Sequence, residues 1–249
     1  MTTITLDSTL AELVTAAPPL ARALERHRLD YCCGGGRTLE QACTDQGIDP
    51  TTVLDELLAA GEPPAAEAWT GLGAAELADH IETTHHRYLW DELPRLTALV
   101  TKVEGVHAGR HPELHEVASC VAELRADLEP HLRKEEQVLF PMIRELARAT
   151  LPPAFHCGSI RNPISVMMLE HDRAGALLER LRELTGDHTP PADGCASFTA
   201  LYEGLAELAA DTHLHVHKEN NVLFPMVLAL ESRLVVPTDE LDRSELDQR

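Results

Sequence analysis

The feature that most constrains this chain is an internal repeat. The segment His131-Leu-Arg-Lys-Glu-Glu-Gln-Val-Leu-Phe-Pro-Met142 recurs 84 positions later as His215-Val-His-Lys-Glu-Asn-Asn-Val-Leu-Phe-Pro-Met226. Both copies place a glutamate four residues after the histidine, Glu135 in the first and Glu219 in the second. Residues four apart lie on the same face of an α-helix, so each copy predicts an imidazole and a carboxylate side by side.

A further histidine precedes each copy at nearly the same distance. His86 lies 45 residues before His131, and His171 lies 44 residues before His215. His85 would give intervals of 46 and 44 residues, so the repeat favours His86 but does not decide between these neighbours. The repeat therefore predicts two helical hairpins, each supplying one histidine and one His-x-x-x-Glu pair.

Four imidazoles and two carboxylates in one interior form a typical donor set for iron, manganese or zinc, and one tetrahedral zinc ion would not use them all. Two metal ions would, if Glu135 and Glu219 each bridge them. An oxo or hydroxo bridge would then complete five ligands per ion and leave one position open for oxygen, nitric oxide or peroxide. Gene duplication alone explains the repeat but not two buried ionisable pairs, which are costly without compensation. The predicted metal ligands are His86, His131, Glu135, His171, His215 and Glu219.

Other histidines fit this scheme less well. Glu82 and His85 form a Glu-x-x-His motif, but a ferritin-type centre requires two such motifs. His213 and His217 share a helix face and have no histidine counterparts in the first copy. Three histidines near the first hairpin loop are expected at the surface or behind the ligands: His107, His111 and His115.

Helical periodicity dominates the sequence, which predicts an all-α fold. Four long amphipathic patterns run from about 74 to 103, 112 to 149, 162 to 186 and 195 to 233, which favours a four-helix bundle. Pro141 and Pro225 occupy the same place in the two repeats, and each removes a helical hydrogen bond, so a kink or bulge is expected there. Pro130 has no counterpart in the second copy and is a candidate site for a bend.

The sequence pattern of the first 60 residues predicts short helices. Thr38 and Gln41 form a capping box, and Asp49 precedes Pro50 at a helix start. The breaker-rich segment 61–66 marks a domain boundary. We therefore expect an N-terminal domain at 1–62, a bundle at 68–233 and a charged, acidic tail at 234–249.

An adjacent cysteine pair lies in this small domain, within Asp30-Tyr-Cys-Cys-Gly-Gly-Gly36. A disulfide between neighbouring cysteines is strained, so Cys32 and Cys33 are not expected to pair with each other. The glycines would expose backbone amides that lower a thiol pKa if a helix begins here. The alternatives are a reactive or metal-handling thiol pair and a tight turn with one cysteine packed inside.

Composition excludes several classes of protein. A net charge of −20 with no basic stripe argues against nucleic-acid binding. No apolar run approaches the ~20 residues that span a bilayer, and the N-terminus lacks a signal-peptide pattern. We expect a soluble, cytoplasmic protein whose cysteines are mostly thiols. The 14 histidines outnumber the Phe, Trp and Tyr residues together, which is consistent with a metal site.

With these motifs together, residues 5–230 resemble the repair-of-iron-centres (RIC) family of ScdA/YtfE-type, hemerythrin-like proteins. The matching elements are the Asp30–Gly35 motif, both His-x-x-x-Glu repeats with Leu-Phe-Pro, and Glu170-His171-Asp172. The resemblance implies a non-haem di-iron centre held by the six predicted ligands, with Glu135 and Glu219 bridging. It also implies a functional role for Cys32 and Cys33, in iron transfer or redox chemistry.

The implied function is restoration of iron–sulfur clusters damaged by nitric oxide or peroxide, with damaged iron–sulfur proteins as partners. Two rival functions stay open: a di-iron nitric oxide reductase, and an oxygen carrier or sensor like hemerythrin. A purely structural bundle is the remaining alternative. The sequence leaves the iron recipient, the electron donor and the oligomeric state, including a homodimer, undetermined.

Overall fold

All regular secondary structure in the described part of the chain is helical. The computed structural model describes residues 4–59 and 69–234, and within them only isolated bridges join Thr9 to Thr38 and Phe155 to Gly158. The protein is therefore all-α, as the sequence predicts. The expected linker at 61–66 lies outside the described residues, as does the expected tail at 234–249 except for Leu234, which ends the last helix. In the described ranges, no helix combines the length and apolarity needed to cross a membrane.

The N-terminal part consists of short helices around a small apolar core. These are α1 (Leu10–Ala16), a 3-10 turn (Pro18–Leu20), α2 (Ala21–Arg26), α3 (Leu39–Asp45) and α4 (Pro50–Ala59). The predicted capping box at α3 is present: Gln41 N–H donates to the Thr38 hydroxyl, and Thr38 N–H donates to the Gln41 side chain. An equivalent box, not anticipated from sequence, joins Thr9 and Glu12 at α1. Capping satisfies amides that a short helix otherwise leaves unpaired.

Four long helical rods follow, three of them interrupted by one π-helical segment. The first rod contains α5 (Ala74–Ile81), π segment Glu82–His86 and α6 (Arg87–His107). The second contains α7 (Leu114–Lys134), π segment Glu135–Leu139 and α8 (Phe140–Arg148). The third is α9 (Arg161–Leu184), and the fourth contains α10 (Ala196–Lys218), π segment Glu219–Leu223 and α11 (Phe224–Leu234). The four predicted long helices are confirmed, with the first extending four residues beyond its predicted end.

Two apolar cores fill the bundle and leave a polar layer between them. One core packs α6, α7, α9 and α10 around residues such as Leu93, Leu124 and Leu205. The other packs α5, α8, α11 and the start of α9 around residues such as Ile81 and Phe140. On each rod the predicted ligands lie where one core ends and the other begins, so apolar side chains pack on both sides of them.

The two repeat prolines account for two of the π segments. Pro141 and Pro225 each follow a π segment closely and lack the N–H that would bond the carbonyl four residues earlier. The helix widens there, which confirms the expected bulge. The third π segment, Glu82–His86, has no such proline and was not predicted. Helix α7 continues through Pro130 without a break.

Candidate metal centre

Six buried side chains meet in the polar layer of the bundle. They form two groups, each with its donor atoms within 4.8 Å of one another: His86, Glu135, His215 and Glu219 in the first, and His131, Glu135, His171 and Glu219 in the second. None of the six is more than 2% exposed. Both carboxylates belong to both groups, so each can be shared between two ions. The structure thus brings together all six side chains that the repeat singled out.

Each glutamate lies between an imidazole of its own rod and one from a neighbouring rod. Glu135 Oε2 is 3.2 Å from His131 Nε2 and 3.4 Å from His86 Nε2. Glu219 Oε1 is 3.2 Å from His215 Nε2, and its Oε2 is 3.1 Å from His171 Nε2. The i, i+4 spacing sets the first contact of each glutamate, and bundle packing sets the second. All four imidazoles therefore turn Nε2 inward.

The charges of the cluster compensate one another. Burial lowers the pKa of the two imidazoles beside Glu135. That carboxylate, together with Glu136 at His86 and Glu170 at His131, outweighs burial and raises the pKa of His86 to about 9 and that of His131 to about 10. Burial raises the pKa of the carboxyls, and Glu135 adds to this effect on Glu219. The neighbouring imidazoles reverse both effects, so the pKa of Glu135 lies well below its ordinary value and that of Glu219 falls to about 2. The layer favours carboxylates surrounded by positive charge.

The inward-facing atoms fit a metal pair better than a hydrogen-bond network. Both carboxylate oxygens of Glu135 and of Glu219 are buried without a hydrogen-bond partner in the described chain, as is Nε2 of His86 and of His215. Unpartnered buried polar atoms are costly and rare in folded proteins. Imidazole nitrogen with carboxylate oxygen is the donor set that iron, manganese and zinc accept. Metal coordination would satisfy these atoms together.

Outer contacts hold three of the four imidazoles in the orientation a metal needs. Nδ1–H of His86 donates to Glu136 at 3.1 Å, that of His131 donates to Glu170 at 2.9 Å, and that of His171 donates to Asn220 at 2.9 Å. Such bonds fix the tautomer that leaves Nε2 free for a metal. The residue directly after each repeat glutamate supplies one of them: Glu136 for His86 and Asn220 for His171.

The repeated phenylalanines also pack against imidazoles. Phe140 stacks on His86 with ring centroids 5.2 Å apart, and Phe224 stacks on His171 at 6.1 Å. Both phenyl rings are fully buried. The equal spacing in the two repeat copies thus places a carboxylate, an orienting side chain and a ring against the histidine of the other rod in the same hairpin.

Comparison with known proteins agrees with this geometry. A family model described as a hemerythrin HHE cation binding domain matches residues 77–227, more than half of the chain and all six clustered residues. The chain belongs to this hemerythrin HHE family. A second model, described as a domain of unknown function (DUF542, ScdA_N), matches residues 6–61.

Curated relatives are similar over both matched parts. The iron-sulfur cluster repair protein YtfE of Enterobacter sp. (strain 638) is 39% identical over 226 residues, which is 90% of this chain and 98% of that protein. Proteins of the same name from Cronobacter sakazakii and Shigella boydii serotype 4 are each 38% identical over the same shares. The resemblance to the repair-of-iron-centres family is thereby confirmed.

In the HHE domain, His85 lies beside the cluster but not in it. Its Nδ1 bonds Asp211 at 2.8 Å, its Nε2 bonds Lys218 at 2.8 Å, and its ring stacks on His215 at 5.6 Å. Burial lowers the pKa of His85 to about 4, which keeps the imidazole neutral. The structure therefore places His86, rather than its neighbour, among the donor atoms.

Sequence reasoning missed Lys218 of the HHE domain. This lysine is 3% exposed, bonds His80 Nε2 at 3.1 Å as well as His85, and lies 5.0 Å from the Trp69 ring centroid. Its counterpart in the first repeat, Lys134, is 45% exposed in its side chain. A lysine precedes the glutamate in both copies, so the repeat pattern held no signal for this difference in burial.

The predicted cysteine pair lies in the DUF542 domain, in a turn organised by Asp30. The Asp30 carboxylate accepts N–H bonds from Cys32 at 3.0 Å, Cys33 at 3.0 Å and Gly34 at 2.8 Å. Cys32 is buried and Cys33 is exposed, with their sulfurs 4.0 Å apart. The hydrogen bond with Cys33, burial and Asp30 raise the pKa of Cys32. No helix begins at this turn, so the condition for a lowered thiol pKa is not met, and the turn holds one cysteine packed inside.

The cysteine turn docks on the HHE domain just beyond Glu219. Asn221 Nδ2 donates to the carbonyls of Tyr31 at 3.3 Å and Cys32 at 2.8 Å, and buried His217 bonds Thr15 at 3.1 Å. Any Cβ at Gly35 would lie 2.4 Å from the Tyr31 carbonyl, so the approach requires glycine. A cavity of about 1040 Å³ opens beside this turn. The cysteine pair is thus held against the segment that carries a clustered glutamate.

The remaining histidines lie apart from the six clustered residues. His107, buried rather than at the surface, contacts Cys195 at 3.2 Å, and His111 bonds Asp193 at 3.0 Å. His115 bonds Glu104 at 2.7 Å. Glu82 of the unmatched Glu-x-x-His motif bonds Arg144 at 2.5 Å. None of these belongs to either candidate metal group among the described residues.

Proposed function

We propose that this protein binds two non-haem iron ions in the six-residue cluster and supplies iron to iron–sulfur clusters damaged by nitrosative or oxidative stress. The observation that carries the proposal is the pair of buried carboxylates, Glu135 and Glu219, that each belong to both donor groups. The relatives named for iron–sulfur cluster repair support the recipient class. Damaged iron–sulfur proteins are then the partners, and the cytoplasm is the proposed location.

In this function the four imidazoles and the two glutamates would hold the ions, and Glu135 and Glu219 would be shared between them. His86 and His215 would serve one ion, and His131 and His171 the other. When bound, the iron pair would supply exchangeable ferrous iron and open positions for small ligands such as nitric oxide or oxygen. The apolar cores on both sides of the layer would limit the access of solvent to the ions.

We propose that Cys32 and Cys33 assist the transfer of iron or electrons. Cys33 is exposed beside the cavity, so a partner protein can reach its sulfur, whereas Cys32 lies behind it. Asn221 ties the Cys32 carbonyl to the segment that begins with Glu219. This connection links the thiol pair to the metal layer through the backbone.

An anaerobic transfer experiment tests the proposal. Protein loaded with ferrous iron is mixed, in the presence of a reductant, with a dehydratase whose [4Fe–4S] cluster has lost one iron. We expect recovery of dehydratase activity well above that given by the same iron held by a chelator. The Glu135→Ala/Glu219→Ala double variant should lose this ability, and Glu129→Ala, a half-buried glutamate on α7, should retain it.

The rival functions give different results in the same preparation. Recovery no greater than with chelated iron, together with sustained conversion of nitric oxide to nitrous oxide, would overturn iron supply and favour a reductase. Reversible oxygen binding by the reduced protein without iron transfer would favour a carrier or sensor.

A further inference from the structure

The two candidate metal positions differ in how their imidazoles are supported. We call the His86/His215 side position 1 and the His131/His171 side position 2; both share Glu135 and Glu219. At position 2, both outer ring nitrogens have acceptors, at 2.9 Å each. At position 1, His86 has one, but Nδ1 of His215 is buried without a hydrogen-bond partner among the described residues.

We propose that position 1 holds its ion less tightly than position 2 and releases it first, because no described residue accepts the outer N–H of His215. This inference rests on the proposed di-iron function and assigns the released iron to one position. An acceptor on the outer nitrogen orients a ligating imidazole and raises its basicity, and loss of such a partner typically lowers metal affinity by about 10–100-fold.

Nearby charges do not cancel this difference. Each position has one carboxylate behind a histidine: Glu136 behind His86 at position 1, and Glu170 behind His131 at position 2. Each side also has a lysine. Lys134 at position 2 is half-exposed and paired with Glu170, whereas Lys218 at position 1 is buried. Water screens a buried cation less, so Lys218 opposes a metal ion on its side more strongly.

The other residues around the two positions do not change which position holds its ion less tightly. His85, which bonds Lys218, also bonds Asp211, whose side chain is 25% exposed and partly offsets the lysine. The two histidines that have no carboxylate behind them differ in their partners. Asn220 accepts a hydrogen bond from Nδ1 of His171, whereas the ring of His85 stacks on His215 and accepts no hydrogen bond from its Nδ1. The outer hydrogen bonds of the two positions therefore differ through Asn220.

Chelator kinetics test directly whether position 1 releases its iron faster than position 2. The full chain is loaded anaerobically with two ferrous ions and mixed with excess ferrozine, and the coloured complex is followed over time. We expect two phases of about one iron each, with rates about 10–100-fold apart. Crystals soaked briefly in chelator should lose anomalous iron scattering at the His86/His215 position first. A single phase for both ions, or earlier loss at the His131/His171 position, overturns the inference.

A matched pair of variants identifies the cause. Asn220→Ala removes the acceptor from His171 and should speed the slow phase toward the fast one. Asn220→Asp keeps an acceptor and should keep the phases apart, while circular dichroism verifies that both variants fold. Unchanged rates in folded Asn220→Ala would contradict the role of the outer hydrogen bond.

The chelator experiment contains no cluster protein, so it separates the two proposals. Unequal release without transfer to a damaged cluster would keep this inference and reject iron supply. Failure to load two ions at all would reject both.

Discussion

Six ionisable side chains in one dry layer are stable only if their charges compensate. Without metal, protons supply part of the compensation, because the neighbouring carboxylates raise the pKa of His86 to about 9 and that of His131 to about 10. A metal ion competes for the same nitrogen lone pairs, so metal binding and proton release are coupled at these residues.

Metal binding at pH 8 should therefore release about two protons per chain. With pKa values of about 9 and about 10, His86 and His131 are protonated at pH 8 before metal binds, whereas histidines of ordinary pKa, about 6.5, would already be neutral. Isothermal titration calorimetry in two buffers of different ionisation enthalpy gives the proton count. His111→Gln, outside the cluster, should give the same count. A release near zero would show that these pKa values are not raised.

The shared carboxylates give a second prediction at this scale. Glu135→Ala or Glu219→Ala should lose at least one iron per chain, because each glutamate contributes to both donor groups. Elemental analysis after anaerobic loading and desalting measures the loss, and circular dichroism should show that the helices persist. Glu129→Ala serves as the control on α7. Full iron retention in both cluster variants would remove the bridging assignment.

At the scale of helices, each repeat copy combines a ligand pair with a break in α-helical geometry. The segments Glu135–Leu139 and Glu219–Leu223 each begin at a clustered glutamate and run up to the Phe-Pro step. A π turn changes the direction in which the following side chains point. Phe140 and Phe224 consequently pack inward, against imidazoles of neighbouring rods.

Removing one of these rings should destabilise the bundle. Phe224→Ala is expected to lower the free energy of unfolding of the metal-free protein by about 3–5 kcal/mol, because the ring is 1% exposed and its loss leaves a cavity. Denaturant titration measures the change. Leu169→Ala, at a residue that is 70% exposed on α9, should change it by less than about 0.5 kcal/mol. Similar small effects in both variants would contradict the packing role.

At the scale of the whole molecule, the N-terminal domain and the bundle meet through backbone carbonyls of the cysteine turn. Asn221 donates to two of these carbonyls, and Val216 of the bundle packs into the core of the N-terminal domain. The turn therefore depends on both domains for its conformation.

Asn221→Ala should make Cys32 more accessible. Loss of the partner of a buried carbonyl costs about 1–3 kcal/mol, so opening of the turn should increase about tenfold or more. Alkylation of Cys32, followed by mass spectrometry, measures opening, and fully buried Cys43 in the same digest is the internal reference. Asn162→Ala, which loses only a bond to the Cys157 carbonyl, is the control variant. Equal Cys32 labelling in all forms would show that Asn221 does not hold the turn.

Much of the fold and the donor set could be predicted from sequence, because both depend on local spacing. Histidine and glutamate four residues apart share a helix face in any α-helix, and duplication of the pattern indicates two equivalent hairpins. Capping at Thr38 and the bulges before Pro141 and Pro225 also follow from residues close in the chain. The six side chains that meet in the layer were thus identifiable before their packing was known.

Tertiary structure decided what local spacing left open. His85 and His86 point about 100° apart around a helix, and an unforeseen π segment ends at His86, so only packing selects the one that faces the layer. Lys134 and Lys218 occupy the same repeat position, yet the rods around them bury only the second. Whether His215 finds an outer partner likewise depends on side chains brought together by packing. Sequence determines which groups share a helix face, whereas burial and partners at long range arise only when the rods assemble.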